Sequence, residues 1–200
     1  MSVRGLRQFT PLYFYTGVAL CLSFVTARAG LSGGRIGFLL GSGFLSWSLI
    51  EYGLHRFIFH YDARSRLGRK LLYHAHLSHH ENPAATNRIF ASLFLSTPIA
   101  AAYWLLAWAA IGSWAAASWL FIGMAAGYFC YEWLHFQCHH GRSRLRLLRY
   151  LRTYHLLHHY RTPELRFGVT SPLFDLVFGT FAQIRHGRGF QKSERSLKSG

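Results

Sequence analysis

Histidines at helical spacing are the residues of this sequence that could do chemistry. The motif His-Leu-x-His-His occurs twice, at His76–His80 and at His155–His159. In a helix, positions i, i+3 and i+4 lie on one face, so each motif predicts three imidazoles within reach of one centre. A histidine-rich solvated face is the alternative, but these motifs recur beside apolar segments. Clustered imidazoles at this spacing are typical of a metal site.

The number of histidines indicates more than one metal ion. The chain contains 13 of them, and ten fit helical or near-helical ligand spacing, which is enough for two metals. Imidazole suits iron, zinc and copper alike, so the ligand type does not choose the metal. The ten candidate ligands are His55, His60, His76, His79, His80, His135, His139, His155, His158 and His159.

Acidic residues accompany these histidines. A ligating imidazole needs an acceptor for its second ring nitrogen. Five of the seven acidic residues lie within a few positions of a histidine cluster, namely Glu51, Asp62, Glu81, Glu132 and Glu164. Glu51 also lies inside an apolar segment, one helical turn before His55, and an acidic residue in such a place usually has a function.

Four apolar segments must position the histidines. They cover about 9–27, 36–54, 89–111 and 114–136, and each is long enough to cross a bilayer as a helix. Only Gly112 and Ser113 separate the last two segments, which predicts a helical hairpin. The fourth segment ends in Glu132, His135 and His139, so it would carry these side chains to one membrane face.

The charge distribution predicts the orientation of these segments. If all four cross the membrane, 20 of the 22 lysines and arginines lie on one side. The positive-inside bias then places both termini and every histidine cluster in the cytoplasm. The net charge of +15 is thereby explained without a nucleic-acid partner.

These features predict an all-α integral membrane protein with four transmembrane helices and a cytosolic helical cap that holds a histidine-rich dimetal site. We expect a single domain over 1–200, with the cap formed by 55–88 and 137–182 and a basic tail at 183–200. Arginine and leucine alternate over 141–153, which predicts a helix at the level of the lipid headgroups.

The ordered motifs resemble those of the fatty acid hydroxylase and sterol desaturase superfamily, and in particular of fatty acid 2-hydroxylases. The segment after the last motif, Phe167–Pro172 with Phe174-Asp175 and Phe178-Gly179-Thr180, is also similar to the corresponding segment of that family. The resemblance covers about 51–181. The motifs that carry it are Glu51–His60, His76-x-x-His79-His80-Glu81-Asn82-Pro83, His135-x-x-x-His139-His140 and Tyr154–Tyr160.

The resemblance implies a membrane monooxygenase that uses O2 to hydroxylate the acyl chain of a fatty acid or lipid, with the 2-position as one expected site of attack. The ten histidines become the ligands of two metal ions, and Glu132 takes the place of a carboxylate that supports the third motif. Zinc has no redox chemistry, so we expect two iron ions in the working enzyme, although zinc suits the same ligands in the isolated protein. His74, His140 and His186 stay outside the ligand set.

The same resemblance sets expectations for partners and location. No flavin or dinucleotide fingerprint is present in the sequence, so a separate electron-transfer protein is expected to supply electrons, with Arg142–Arg152 as one docking surface. The substrate would enter from the bilayer, and the short chain without a fused haem domain favours a bacterial inner membrane. Two alternatives stay open: a desaturase on the same dimetal site, and a membrane zinc-dependent hydrolase with Glu81 or Glu132 as its base.

Overall fold

A computed structural model describes residues 9–184, and all regular secondary structure in that range is helical. This confirms the predicted all-α class. The helices are α1 (Thr10–Thr26), α2 (Gly33–Gly53), α3 (Arg66–Leu72), α4 (Ser78–Glu81), α5 (Leu93–Ile111), α6 (Trp114–His140), α7 (Arg146–Tyr160) and α8 (Leu173–Val177). Two π-helical turns join them: Leu54–Phe59 extends α2, and Tyr73–Leu77 connects α3 to α4. Residues 185–200 of the predicted basic tail, with His186, lie outside the described range.

The four apolar segments form α1, α2, α5 and α6, with bounds close to those predicted. The hairpin between α5 and α6 turns at Gly112, whose φ of 70° lies in the left-handed region that glycine adopts without a Cβ clash. Ser113 then caps α6, because its side chain accepts a hydrogen bond from the backbone N–H of Ala116.

The outer surface of these helices is apolar. Phe24 on α1, Phe38 on α2 and Phe94 on α5 are each more than 70% exposed. By length and composition, one stretch of the described residues, Thr86–Ile111, is long and apolar enough to cross a membrane by itself. Large exposed apolar surfaces of this kind mark contact with another apolar phase or a partner.

Helix α6 is the central element, and α2 packs against it at very short distance. Glycines make this approach possible: a Cβ on Gly43 would overlap the backbone at Leu120, and a Cβ on Gly123 would overlap the backbone at Leu40. This contact brings the C-terminal ends of both helices together, so that His55 and His135 line the same cavity.

Helix α7 differs from its prediction. It begins at Arg146 rather than at Gly141, since α6 ends at His140 and an extended segment follows. Leu148 and Leu151, on the leucine face of this helix, pack against Leu134 and Cys138 of α6. The apolar face of α7 therefore fixes this helix, and the histidines on it, against α6. The place of the helix at the level of the headgroups stays a prediction.

Candidate metal centre

The ten predicted ligands come together in two sets of five. Within each set, the candidate ligand atoms all lie within 4.8 Å of one another. We call the sets site 1 and site 2. Site 1 consists of His55, His60, His76, His80 and His158; site 2 consists of His79, His135, His139, His155 and His159.

The Nε2 atoms point at one another in both sites. In site 1, the Nε2 atoms of His76 and His80 lie 2.9 Å apart, and those of His60 and His158 lie 3.2 Å apart. In site 2, the Nε2 atom of His155 lies 3.0 Å from that of His139 and 3.0 Å from that of His159. Two nitrogens bound to one metal ion at about 2.1 Å are about 3.0 Å apart when they subtend a right angle.

A metal ion fits this arrangement better than imidazoles alone. A neutral imidazole carries one N–H, so a buried group of facing Nε2 atoms cannot be satisfied by mutual hydrogen bonds. The Nε2 atoms of His55 and His135 are buried without any hydrogen-bond partner. An unsatisfied buried polar atom costs about 1–3 kcal/mol, and a shared cation would remove that cost. Each set can therefore hold a metal ion.

Each His-Leu-x-His-His motif is divided between the two sites, contrary to the expectation that its three imidazoles share one centre. His76 and His80 belong to site 1, whereas His79 belongs to site 2. A residue in an α-helix is rotated by about 100° from its neighbour, so positions i+3 and i+4 lie on opposite sides of position i. The i, i+4 pair therefore meets at one centre, and the i+3 residue points to the other.

His55 and His60 meet because the backbone between them is π-helical. The N–H of His60 donates to the carbonyl of His55 at 3.3 Å, an i to i+5 hydrogen bond. Five residues make about one turn of such a helix, which places both rings on one face with their centroids 5.1 Å apart. π-helical turns often occur at functional sites.

The two sites are neighbours. The rings of His80 in site 1 and His159 in site 2 stack with a centroid distance of 4.0 Å and an interplanar angle of 24°. His79, between His76 and His80 in the sequence, joins the sites covalently through α4. Two ions held in this way would be close enough to act on one substrate.

Backbone carbonyls orient two imidazoles of site 1. The carbonyl of Phe167 lies 2.5 Å from His55 Nδ1, and the carbonyl of Leu165 lies 2.7 Å from His158 Nδ1. A carbonyl can only accept, so Nδ1 carries the proton in both rings and Nε2 keeps its lone pair. These hydrogen bonds thus hold the tautomer that a metal requires.

Site 2 is different on this point. The Nδ1 atoms of His79, His135, His155 and His159 are buried without a hydrogen-bond partner. Four of the five rings of site 2 instead come from two long helices that pack together: His135 and His139 lie one turn apart on α6, and His155 and His159 lie one turn apart on α7.

The predicted carboxylates do not contact the histidines by hydrogen bonds of their own. Glu51 is 3% exposed and accepts hydrogen bonds from the backbone N–H groups of Val169 and Thr170. Glu132 accepts one from the N–H of Ala91 at 3.2 Å, which ties α6 to the segment before α5. Neither carboxylate binds a histidine directly, and the supporting role expected for both residues stays a prediction.

The other acidic candidates do not support the sites. Glu81 accepts from the hydroxyl of Tyr73 at 2.7 Å, and Asp62 and Glu164 are exposed. Sequence reasoning gave no role to Asp175, a fully buried carboxylate that binds the backbone of Phe167 and Gly168. The turn-rich segment before it was the available signal, since Asp often satisfies backbone N–H groups in turns.

Burial keeps the imidazoles neutral. It lowers the pKa of His60 to about 4 and the pKa of His80 to about 3 in site 1. In site 2, burial together with the neighbouring His139 lowers the pKa of His79 to about 3. These groups are thus deprotonated near neutral pH, as metal ligation requires.

An apolar cavity runs from the helices to both sites. Its lining comes from α1, α2, α5 and α6, and it reaches His55 and His76 of site 1 and His79 and His135 of site 2. Most of the remaining lining is apolar. It includes Tyr15, Ile99, Ala100, Phe121, Met124 and Ala125. A long apolar ligand in this cavity could touch both sites.

Comparisons with known proteins found related sequences. A model of the family described as fatty acid hydroxylase matches residues 40–180. A dihydroceramide fatty acyl 2-hydroxylase of Arabidopsis thaliana is 34% identical over 165 residues, which cover 80% of this chain and 68% of that protein. A ceramide very long chain fatty acid hydroxylase of Saccharomyces cerevisiae is 39% identical, and the match covers 72% of this chain but 38% of the yeast protein.

A solved structure is also similar. It is full-length Scs7p, in which only the hydroxylase domain is visible, and it is 32% identical to this chain with a TM-score of 0.81. The match covers 88% of this chain and 67% of that one.

Proposed function

The chain belongs to the fatty acid hydroxylase family, and from that premise we propose that its ten clustered histidines hold two iron ions at which the acyl chain of a membrane lipid is hydroxylated. The family and the named hydroxylase relatives make the chain a membrane-bound oxidoreductase that acts on lipid acyl chains. The observation that carries the proposal is that one apolar cavity reaches both five-histidine sites.

The cavity supports an acyl substrate. Burial of apolar chain is favourable by about 0.8 kcal/mol per methylene, so a mostly apolar lining favours a long hydrocarbon over a polar ligand. The Arabidopsis relative is named a fatty acyl 2-hydroxylase. We propose the same position of attack here, which places the polar end of the substrate beside the histidines and the hydrocarbon between α1, α2, α5 and α6.

The chain's own residues prepare the site for this reaction. Iron, when bound, supplies the redox chemistry for the reduction of O2, which zinc lacks. The carbonyls of Leu165 and Phe167 hold His158 and His55 in the tautomer that presents Nε2. The apolar cavity walls exclude water from the reacting carbon, and they hold the chain against both sites.

We further propose a topology and an electron donor. In this proposal α1, α2, α5 and α6 all cross the membrane, the termini and the cap face the cytoplasm of a bacterial cell, and 1–200 form one hydroxylase domain. The charge asymmetry of the sequence supports this orientation. A separate electron-transfer protein would supply two electrons per turnover, and the exposed arginines Arg144, Arg146 and Arg149 offer it a basic surface.

The test compares lipids from cells that express the wild type, His158→Ala or His74→Ala. His74 is exposed on the same segment as site 1 but outside both sites, so it controls for loss of a histidine as such. We expect acyl chains that gain one oxygen atom at C2 with the wild type and His74→Ala, and none with His158→Ala. Chains that instead lose two hydrogen atoms would establish a desaturase, and identical lipids in all three would contradict the proposal.

A further inference from the structure

The loop that follows α7 has no regular secondary structure, yet it supplies both carbonyls that orient site 1. The carbonyl oxygens of Leu165 and Phe167 accept hydrogen bonds from Nδ1 of His158 and His55, respectively. The backbone of this loop must therefore be held in place if the two imidazoles are to keep their geometry.

Two buried carboxylates hold the loop. Asp175 on α8 is fully buried and accepts from the N–H of Phe167 at 2.8 Å, through Oδ1, and from the N–H of Gly168 at 2.9 Å, through Oδ2. Its Oδ1 also accepts from the hydroxyl of Thr180 at 2.7 Å, which fixes the carboxylate itself.

Glu51 continues the same pattern on the next two residues. Its Oε1 accepts from the N–H groups of Val169 and Thr170, and its Oε2 accepts from the hydroxyl of Thr170 at 2.5 Å. Four consecutive backbone N–H groups, from 167 to 170, are thus bound by two carboxylates that come from different helices.

The loop has little room to move. Gly168 is buried, and a Cβ at that position would overlap the carbonyl oxygen of Ser171. The N–H groups of the loop are bound by the two carboxylates, and its carbonyls bind histidines of site 1. The position of the carboxylates therefore determines the position of these imidazoles.

We propose that Glu51 and Asp175 are positioning residues for site 1, which act through the loop and not by contact with metal or substrate. The inference rests on the proposed metal sites and adds two residues to them. No residue plays this part at site 2 among the described contacts, so loss of either carboxylate weakens metal binding at site 1 selectively. Removal of an outer partner of this kind typically weakens metal binding 10- to 100-fold.

The experiment uses the full chain in detergent, with cobalt(II) as the probe, because its absorption spectrum reports the ligand geometry. His155→Ala disables site 2 and isolates site 1, and His158→Ala disables site 1 and isolates site 2. Into each background we would introduce Asp175→Asn or Glu51→Ala. Both oxygens of Asp175 accept from a backbone N–H, so the amide NH2 group of Asn must face one of these donors. Both N–H groups bound by Glu51 use its Oε1, so Ala is chosen there because it removes that acceptor.

In the background that isolates site 1, each substitution should weaken cobalt binding about 10- to 100-fold and alter the cobalt spectrum. In the background that isolates site 2, affinity should change less than about 3-fold, well under that range. Retained binding at site 2 also shows that the variant is folded. Ser118→Ala is the control, because Ser118 is an equally buried polar residue whose hydrogen bonds lie outside the loop and both sites; it should leave both sites unchanged.

Equal losses at both sites would show a general structural role and overturn the proposal, as would unchanged affinity at site 1. If neither background binds cobalt at all, the assignment of the metal sites fails instead, and that outcome is distinct from failure of the positioning role.

Discussion

Site 1 is built from turns and a loop, whereas site 2 is built mainly from two long helices. Site 1 takes His55 and His60 from a π-helical turn and depends on carbonyls of the loop 165–170. Site 2 takes two histidines each from α6 and α7, and four of its five Nδ1 atoms have no hydrogen-bond partner. Hydrogen bonds thus orient the first site, and side-chain packing between helices orients the second.

The difference shows two ways to hold an imidazole. A hydrogen bond to Nδ1 fixes the tautomer and raises the basicity of Nε2, so it favours metal directly. Helix packing fixes the position of the ring but leaves the tautomer free. The two sites should therefore differ in affinity and in the kinds of substitution that damage them.

The largest expected effect is loss of a ligand. His158→Ala should lower the metal content of the purified protein from two ions to one, and His155→Ala should do the same by emptying the other site. Hydroxylation should fall to background in both, since the substrate cavity meets both sites. Metal analysis with the lipid assay checks this, and two ions retained in either variant would remove that histidine from the ligand set.

The same two variants compare the affinities of the sites. His155→Ala retains site 1, and it should bind metal about 10-fold more tightly than His158→Ala, which retains site 2, because only site 1 has carbonyl partners. Competition with a chelator of known affinity measures the ratio. Equal affinities, or tighter binding at site 2, would mean that helix packing orders the ligands as well as hydrogen bonds do.

A packing substitution should damage site 2 more than site 1. Leu151 is 3% exposed and contacts Leu134 and Cys138, so it holds α7 against α6. Leu151→Ala removes a buried side chain, at a cost of about 2–5 kcal/mol in stability, and loosens the helix that carries two ligands of site 2 but one of site 1. Metal titration should show a several-fold loss of metal affinity at site 2 before any loss at site 1. A selective loss of affinity at site 1 would contradict the distinction between the two sites.

Acid should destabilise the metal-free fold through both sites alike, because imidazoles of both sites are buried and neutral. The pKa of His79 in site 2 and the pKa of His80 in site 1 are lowered by burial to about 3, against about 6.5 in an unfolded chain. As the pH falls from about 6.5 towards 4, the unfolded chain takes up protons that the folded chain does not, so folding stability falls. The melting temperature of the metal-free protein should decrease by several degrees across this window. A constant or rising value would contradict the lowered pKa values.

Much of site 2 could be predicted from the sequence, and less of site 1. The i, i+4 pairs His135/His139 and His155/His159 follow from α-helical geometry, and the helices that carry them lie where the apolar pattern places them. The π-helical turn at His55, the carbonyls of Leu165 and Phe167, and the part played by Asp175 depend on contacts between residues far apart in the chain. For example, 112 positions separate His55 from Phe167. Local periodicity carries no information on such contacts.

The division of each His-Leu-x-His-His motif was also predictable in principle. Rotation about the helix axis places positions i+3 and i+4 on opposite sides of position i. When two metal centres lie close together, position i+3 can therefore face one centre while positions i and i+4 face the other. A single motif does not reveal the second centre, and only the folded chain brings His79 to α6 and His158 to the π-helical turn.

Two separate metal sites are tested most directly by a crystal structure of the protein reconstituted with iron, with anomalous scattering measured at the iron absorption edge. Two anomalous peaks are expected, one among the five Nε2 atoms of site 1 and one among the five of site 2. A single peak, or an ion whose ligands are drawn from both sets, would contradict two separate five-histidine sites.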